Sequence, residues 1–270
     1  MDLRKRMRRT PFIGAALVAL LMAPSPVAAA DTTVREVTKM LVKARPGLEV
    51  NLAGHDLSFL DLSGLDFKAA RLVAANLHGA DLSWANLRNA DLSRALLDRA
   101  TIIGTDFAQA NLSHAVMRLP HSATSPAFNG ADAPRFAGAN LSHARLVARF
   151  DGADFRGADL TGAQLHPYGD GTQNAAARRS SLLSCDFSAA VLVDADLSGS
   201  LLAFANFTKA DLRGASLRGA DLSRTNFFGA ELAAADITGA DLDGANLVGA
   251  NGLEKVVGLD LARNVERAFR

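Results

Sequence analysis

Between Leu182 and Leu247 a large apolar residue recurs at every fifth position, fourteen times without a miss. Two residues before most of them stands Ala, usually followed by Asp or Asn, as in Ala220-Asp221-Leu222-Ser223-Arg224. Neither regular element can use this period. Along an α-helix five residues advance the side chain by about 140°, which scatters the apolar set around the axis. In a strand, residues five apart fall on opposite faces. The chain must therefore turn at each repeat. If each turn is close to a right angle, four repeats close a square coil of about twenty residues, and coils stack about 4.8 Å apart through backbone hydrogen bonds. Phe187, Phe207 and Phe227 are twenty residues apart and Phe67 and Phe107 forty apart, so each set is expected to stack on one wall of the square.

The A-D-L-x-x text resembles that of the pentapeptide-repeat family. The resemblance implies an all-β fold, a right-handed quadrilateral β-helix, in which the central Leu or Phe and the small residue two before it point inward. Counted this way, 14 centres run from Leu52 to Met117, 7 from Phe136 to Leu165 and 14 from Leu182 to Leu247. All 35 are Leu, Phe, Ile or Met, and 25 of the 35 small positions are Ala, so the repeat covers residues 50–252.

Residues 1–30 read as a cleavable signal peptide instead of fold. Arg4, Lys5, Arg6, Arg8 and Arg9 form a basic start, Phe12 to Ala23 an apolar core, and Ala28, Ala29 and Ala30 a small-residue cleavage site. That core is shorter than the about 20 residues needed to span a bilayer, so no membrane span is expected after cleavage. The expected location is the periplasm or the exterior of a bacterial cell. Removal of this segment takes away five basic residues and one acidic one, so the net charge falls from +1 to −3. The lone Cys185 excludes an internal disulfide and, at a small inward position, reads as a core spacer.

A solenoid has open ends that need covering. Residues 31–49 supply an N-terminal cap helix, with Thr33 and Glu36 spaced as a capping box and Val34, Val37, Leu41 and Ala44 on one face. Val50, His55, Leu60 and Leu65 then fill the small positions of an atypical first coil. Residues 253–270 supply a C-terminal cap, read as a short helix from Asp260 to Arg270 with Leu261, Val265 and Phe269 on one face. This helix is taken as a lid; the resemblance adds a second reading, a homodimer formed through it.

The repeat breaks near 118–133 and near 166–180, where Pro and turn formers read as loops thrown out from the coil. Leu146 and Phe150, only four apart, mark a one-residue deletion between them. Loops on a rigid scaffold often carry function, so Pro120, His121, Pro126, Tyr168, Arg178 and Arg179 are the candidate partner-binding residues. Arg145 and Arg149 replace the usual Asp nearby. Residues 118–181 carry seven basic and five acidic residues, whereas 182–251 carry four and nine.

No catalytic residue, metal site or cofactor is expected. Asp occurs throughout, but as the outward residue of A-D-L, where it caps turns. His114, His143, His121 and His166 have no ligand spacing, Ser, His and Asp lack a catalytic motif around them, and Trp84 and Tyr168 make no stacking platform for nucleic acid. The chain therefore reads as an exported, non-enzymatic scaffold for a protein partner. The resemblance also offers an alternative, an acidic DNA mimic that binds gyrase as quinolone-protection members of the family do. The export signal and the mild charge of −3 argue against it.

Overall fold

A computed structural model of the protein describes residues 32–44, 49–67, 69–122, 130–166 and 179–269. From residue 49 onward the described residues wind into a right-handed quadrilateral β-helix of ten coils. The ladder of parallel bridges on the first wall begins at Asn51, passes through Arg71, Asp91, Asn111, Asn140, Asp159, Val191, Asp211 and Glu231, and ends at Asn251. The ladders of the second, third and fourth walls begin at Asp56, Asp61 and Asp66. Bridged residues are twenty apart in the regular coils, as in Asn51 with Arg71. Each rung is too short to count as a strand except at β1 (Val116–Arg118) and β2 (Arg145–Val147), which pair in parallel on the second wall.

The five-residue period produces this shape because each repeat closes one corner. In the first repeat the His55 amide donates to the Leu52 carbonyl at 3.2 Å, and Gly54 between them has φ 68°, the pattern of a type II turn. The same corner position holds Trp84 at φ 60° and Phe204 at φ 63°, so the coil imposes this left-handed conformation even on bulky residues. At Gly104 (φ +62°) a Cβ would lie 2.3 Å from the Trp84 ring of the coil before, so Gly there makes room for the indole.

Every one of the 35 repeat centres is buried, none more than 5% exposed. On the fourth wall the six rings of Phe107, Phe136, Phe155, Phe187, Phe207 and Phe227 form one unbroken stack, with centroids 4.8–5.3 Å apart and planes within 6°. Phe67 lies on the same wall, separated from the stack by Leu87. The two Phe sets separated in the sequence thus belong to a single wall. Polar residues in the core are satisfied by backbone: Thr105 Oγ1 donates to the Leu82 carbonyl at 2.8 Å and Thr225 Oγ1 to that of Leu202 at 3.1 Å.

The first insertion is narrower than the break in the repeat. Leu119 to Ser122 remain in the fourth coil: His121 bridges Thr101 on the third wall, Pro120 is buried at the small position and Ser122 is buried at the centre position. Ser122 escapes a search for apolar centres because its hydroxyl, donating to the Arg149 carbonyl, is what makes it tolerable there. The first insertion therefore leaves after Ser122, and the chain rejoins the fourth wall at Arg135, which bridges Asp106. The second leaves beyond Gln164 on the second wall and returns to the third at Ser181, which bridges Arg149.

At the N-terminus α1 (Val34–Lys43) carries the capping box between Thr33 and Glu36. Its Val37 and Leu41 join the core cluster, with Leu60 and Leu65 partly buried beside them. The C-terminus departs from the expected single helix over Asp260 to Arg270. Three 3-10 turns, Leu253–Lys255, Leu259–Leu261 and Val265–Arg267, form the sides of a tenth coil. Gly252, Gly258 and Asn264, six residues apart, precede them in the left-handed region. Its rungs Val257, Arg263 and Phe269 bridge Asp236, Asp241 and Asn246, so a six-residue side replaces the five-residue one.

Candidate functional site

The outward Asp or Asn of each repeat is committed to the corner that follows it. Ser83 N donates to Asp81 Oδ1 at 2.9 Å, and Ser188 N to Asp186 Oδ1 at 2.9 Å, which are Asx turns. In several places where Asn follows Asp or Asn in the next coil, its amide reaches back. Asn206 Nδ2 donates to Asp186 Oδ1 at 3.1 Å, and Asn246 Nδ2 to Asn226 Oδ1 at 2.8 Å. These carboxylates hold corners and link coils. Hydrogen bonds from Arg213 hold the Asp211 carboxyl below the usual range against partial burial. Burial pushes Asp154 upward, but hydrogen bonds from Arg156 and the charge of its guanidinium outweigh it.

The pattern changes on the third wall. Its ladder carries Asp61 and Asp81, then Thr101 and His121, then Arg149, Ser181 and Leu201, and returns to acid at Asp221 and Asp241. Arg149 cannot accept the corner amide as Asp would. Asp151, its side chain only 7% exposed, serves the corner of the next coil: it accepts from Arg149 Nε at 2.6 Å, Ser181 Oγ at 2.5 Å and Leu183 N, two residues past the Ser181 rung, at 3.1 Å. One carboxylate thus joins coils five and six on the wall bounded by the two insertions. That wall lies next to β1 and β2 on the second wall, where Arg118 binds Asp98 in a forked ion pair and Arg145 donates to Gln164 Oε1 at 3.0 and 2.9 Å.

The sequence-derived candidates fall unevenly on this geometry. His121 is an exposed rung of the third wall, while Pro120 is buried inside the coil instead of projecting in a loop. Arg179 is exposed where the chain re-enters the third wall. Pro126, Tyr168 and Arg178 lie outside the described residues. Arg99, Arg118 and Leu119, missed from sequence, lie on the second wall beside His121; their wall becomes readable only once the coils are counted.

His114, His143, His121 and His166 do not converge. His114 and His143 stack at the corner between first and second walls, centroids 5.1 Å apart, whereas His121 is on the third wall and His166 approaches Asp196 on the second at 3.9 Å. Among the described residues no group of three or more His, Cys, Asp or Glu could hold a metal ion. Cys185 is buried, with its Sγ 3.0 Å from the Phe150 carbonyl, and burial pushes its thiol pKa far up. No helix among the described residues is long and apolar enough to cross a membrane.

Comparison with known proteins agrees with the coil. The family model for pentapeptide repeats matches residues 51–89, 80–118, 135–166, 180–219 and 215–251, in eight copies. Among solved structures the chain is similar to HetL, a pentapeptide repeat protein involved in heterocyst differentiation regulation from the cyanobacterium Nostoc sp. strain PCC 7120. The two are 25% identical over 88% of this chain and 94% of that one, with a TM-score of 0.43. A pentapeptide repeat protein from the Arabidopsis thaliana thylakoid lumen is 31% identical over 44% of this chain and 69% of its own, with a TM-score of 0.24. QnrB1, a plasmid-mediated fluoroquinolone resistance protein, is 19% identical over 72% and 81%, with a TM-score of 0.30. No curated protein matches the chain in sequence. With the repeat model matched across more than half of its length, and with the corners and buried centres that such repeats require, the chain belongs to the pentapeptide-repeat family.

Proposed function

We propose that the protein is an exported, non-enzymatic scaffold whose walls hold a protein partner in the cell envelope or outside the cell. The observation that carries this reading is the ten-coil stack, bridged from coil to coil on all four walls and about 45 Å long at the ordinary strand spacing, with insertions leaving from both edges of one wall. A surface of this kind is fixed before binding, so a partner loses little of its affinity to ordering the scaffold. The outward carboxylates, engaged by corner amides and by Asn and Arg side chains, support a structural role for the Asp set.

Export rests on the basic, apolar and small-residue pattern of residues 1–30. Photo-crosslinking residues introduced on each wall, followed by intact-mass analysis of periplasmic and cytoplasmic fractions of the native host, test both parts. A periplasmic species beginning near Asp31 and crosslinked to one protein from one wall is expected. A cytoplasmic species retaining residues 1–30 overturns export, and absence of crosslinks from every wall overturns the scaffold. Inhibition of gyrase supercoiling by stoichiometric protein would favour the DNA-mimic reading instead. The tenth coil serves as a lid in this reading. A clean dimer mass by light scattering would replace the lid with pairing through the C-terminal end, where Leu261 and Phe269 are each 62% exposed.

A further inference from the structure

The second and third walls change sign along the axis. In coils one and two, residues 56–64 and 76–84 carry Asp56, Asp61 and Asp81 and no Lys or Arg, a net −3. In coils seven to nine, residues 196–204, 216–224 and 236–244 carry five Asp and two Arg, again −3. In coils three to five, residues 96–104, 116–122 and 145–151 carry four Arg and two Asp, a net +2. All four cations are Arg, the side chain whose planar fork matches a carboxylate; Asp98 and Asp151 already engage Arg118 and Arg149, so the net +2 is carried by Arg99 and Arg145.

The backbone sets these residues close together. Arg99 N donates to the Arg118 carbonyl at 2.9 Å. Val116 is in register with Arg145, and Arg118 with Val147. The Arg118 and Arg145 side chains are oriented by Asp98 and Gln164, and Arg99 is exposed, with no ion pair among the described residues. Between the cations stand exposed apolar side chains, Leu96 at 45% and Leu119 at 57%.

We infer that these two walls, in coils three to five, form a docking surface for an acidic segment of the partner protein, with apolar residues placed between its carboxylates. The inference rests on the scaffold reading above. Charge complementarity selects the occupant: a positive patch between two negative ones attracts an acidic segment and repels basic ones. Leu96 and Leu119 give the apolar residues of that segment a surface to cover. A nucleic acid fits less well, because the patch spans only about 10 Å along the axis and bears a net +2, against the several phosphate contacts that duplex binding uses. The exposed aromatics Phe59, Trp84 and Phe204 belong to other coils.

Fluorescence anisotropy of the purified protein with a labelled peptide bearing Glu at every second position and Leu at every fourth tests this surface. The Gln-for-Glu peptide and duplex DNA serve as comparison probes. Binding that weakens about tenfold for the Gln peptide, and again about tenfold for Arg99→Glu combined with Arg145→Glu, is expected, together with weakening by salt. Arg213→Glu, on the first wall, should leave the affinity within about twofold. Because Arg145 is tied to Gln164, Arg99→Glu alone is the variant that keeps the test clear of folding defects, with about threefold weakening expected. No binding of the Glu peptide, equal binding of the Gln peptide, tighter binding of DNA, or indifference to both Arg changes would overturn the inference. Crosslinks in the host from the first or fourth wall but none from position 99 would refute this surface and leave the scaffold standing; absence from every wall would refute the scaffold itself.

Discussion

Phe107, Phe187 and Phe155 occupy the same wall with the same burial but have one, two and three aromatic neighbours. Replacing each by Leu separates stacking from burial. Leu is a fair substitute, since Leu87 already occupies that wall. The three changes share the same loss of apolar area, so their difference reports ring contacts. Each such contact is worth about 0.5–1.5 kcal/mol beyond area burial. Phe155→Leu loses the stacks with Phe136 at 4.9 Å and Phe187 at 4.8 Å and the edge contact with Phe150 at 6.2 Å. Phe107→Leu loses only the stack with Phe136 at 5.0 Å. Phe155→Leu should therefore cost about 1–3 kcal/mol more than Phe107→Leu, with Phe187→Leu between them. Urea unfolding followed by far-UV circular dichroism measures this, read as midpoint shifts at a common slope. All three residues lie in interior coils, so fraying at the ends does not separate them. Equal losses, or Phe107→Leu the costliest, would refute an energetic role for the stack and leave it a by-product of register.

Four further outcomes follow from the same geometry. Leu222→Asp places a carboxylate at a fully buried centre and should cost more than about 3 kcal/mol. Asp221→Ser, which loses the acceptor of Ser223 N and Oγ, should cost about 1 kcal/mol or less because a hydroxyl replaces that acceptor weakly; equal melting temperatures for the two variants would refute the inward assignment. Gly252→Ala should destabilise more than Gly157→Ala in thermal melts: both have positive φ, but a Cβ at Gly252 meets Ala233 N at 2.7 Å, whereas nothing lies within 4 Å at Gly157. The Cys185 thiol should react with Ellman's reagent only as fast as the protein unfolds, and rapid labelling in the absence of denaturant would contradict its burial. Asp154 and Asp211 have carboxyls held below their usual range, so each stabilises the fold above the unfolded value of about 3.9 and loses that contribution as pH falls through its folded value. The stability gap between wild type and Asp154→Asn with Asp211→Asn should accordingly narrow between pH 7 and pH 3, and a constant gap would contradict this.

Period five was sufficient to read the coil, its inward positions and its structural Asp, because those depend only on local chemistry repeated many times. The candidate site depends on which wall each residue occupies, and that requires an unbroken count of corners. Ser122 breaks the count. It occupies a centre on the third wall yet is neither apolar nor preceded by Ala, and it is tolerated because its hydroxyl is satisfied by the Arg149 carbonyl. Omitting it shifts every later centre by one wall, which separates Phe107 from Phe136 and hides the stack. The tenth coil was lost differently. Leu261, Val265 and Phe269, at spacings of four, mimic a helix face, whereas the spacing of six between Gly252, Gly258 and Asn264 marks the turns that form.

The Phe wall supplies the correction that a list of apolar centres lacks. Six rings can stack in consecutive coils only if Phe107 and Phe136 are four corners apart, so one corner must lie between Met117 and Phe136, and Ser122 is what fills it. Once that corner is restored, Arg99, Arg118 and Arg145, spread over nearly fifty residues of sequence, fall on successive coils of the second wall. The basic patch is therefore a consequence of register. A one-residue insertion within Leu146 to Phe150, which would restore the missing position, would enlarge that corner without altering the count of walls. It should leave the Phe stack intact while displacing Arg149 from Asp151 and Ser122, the contacts that tie this edge of the third wall to its neighbours.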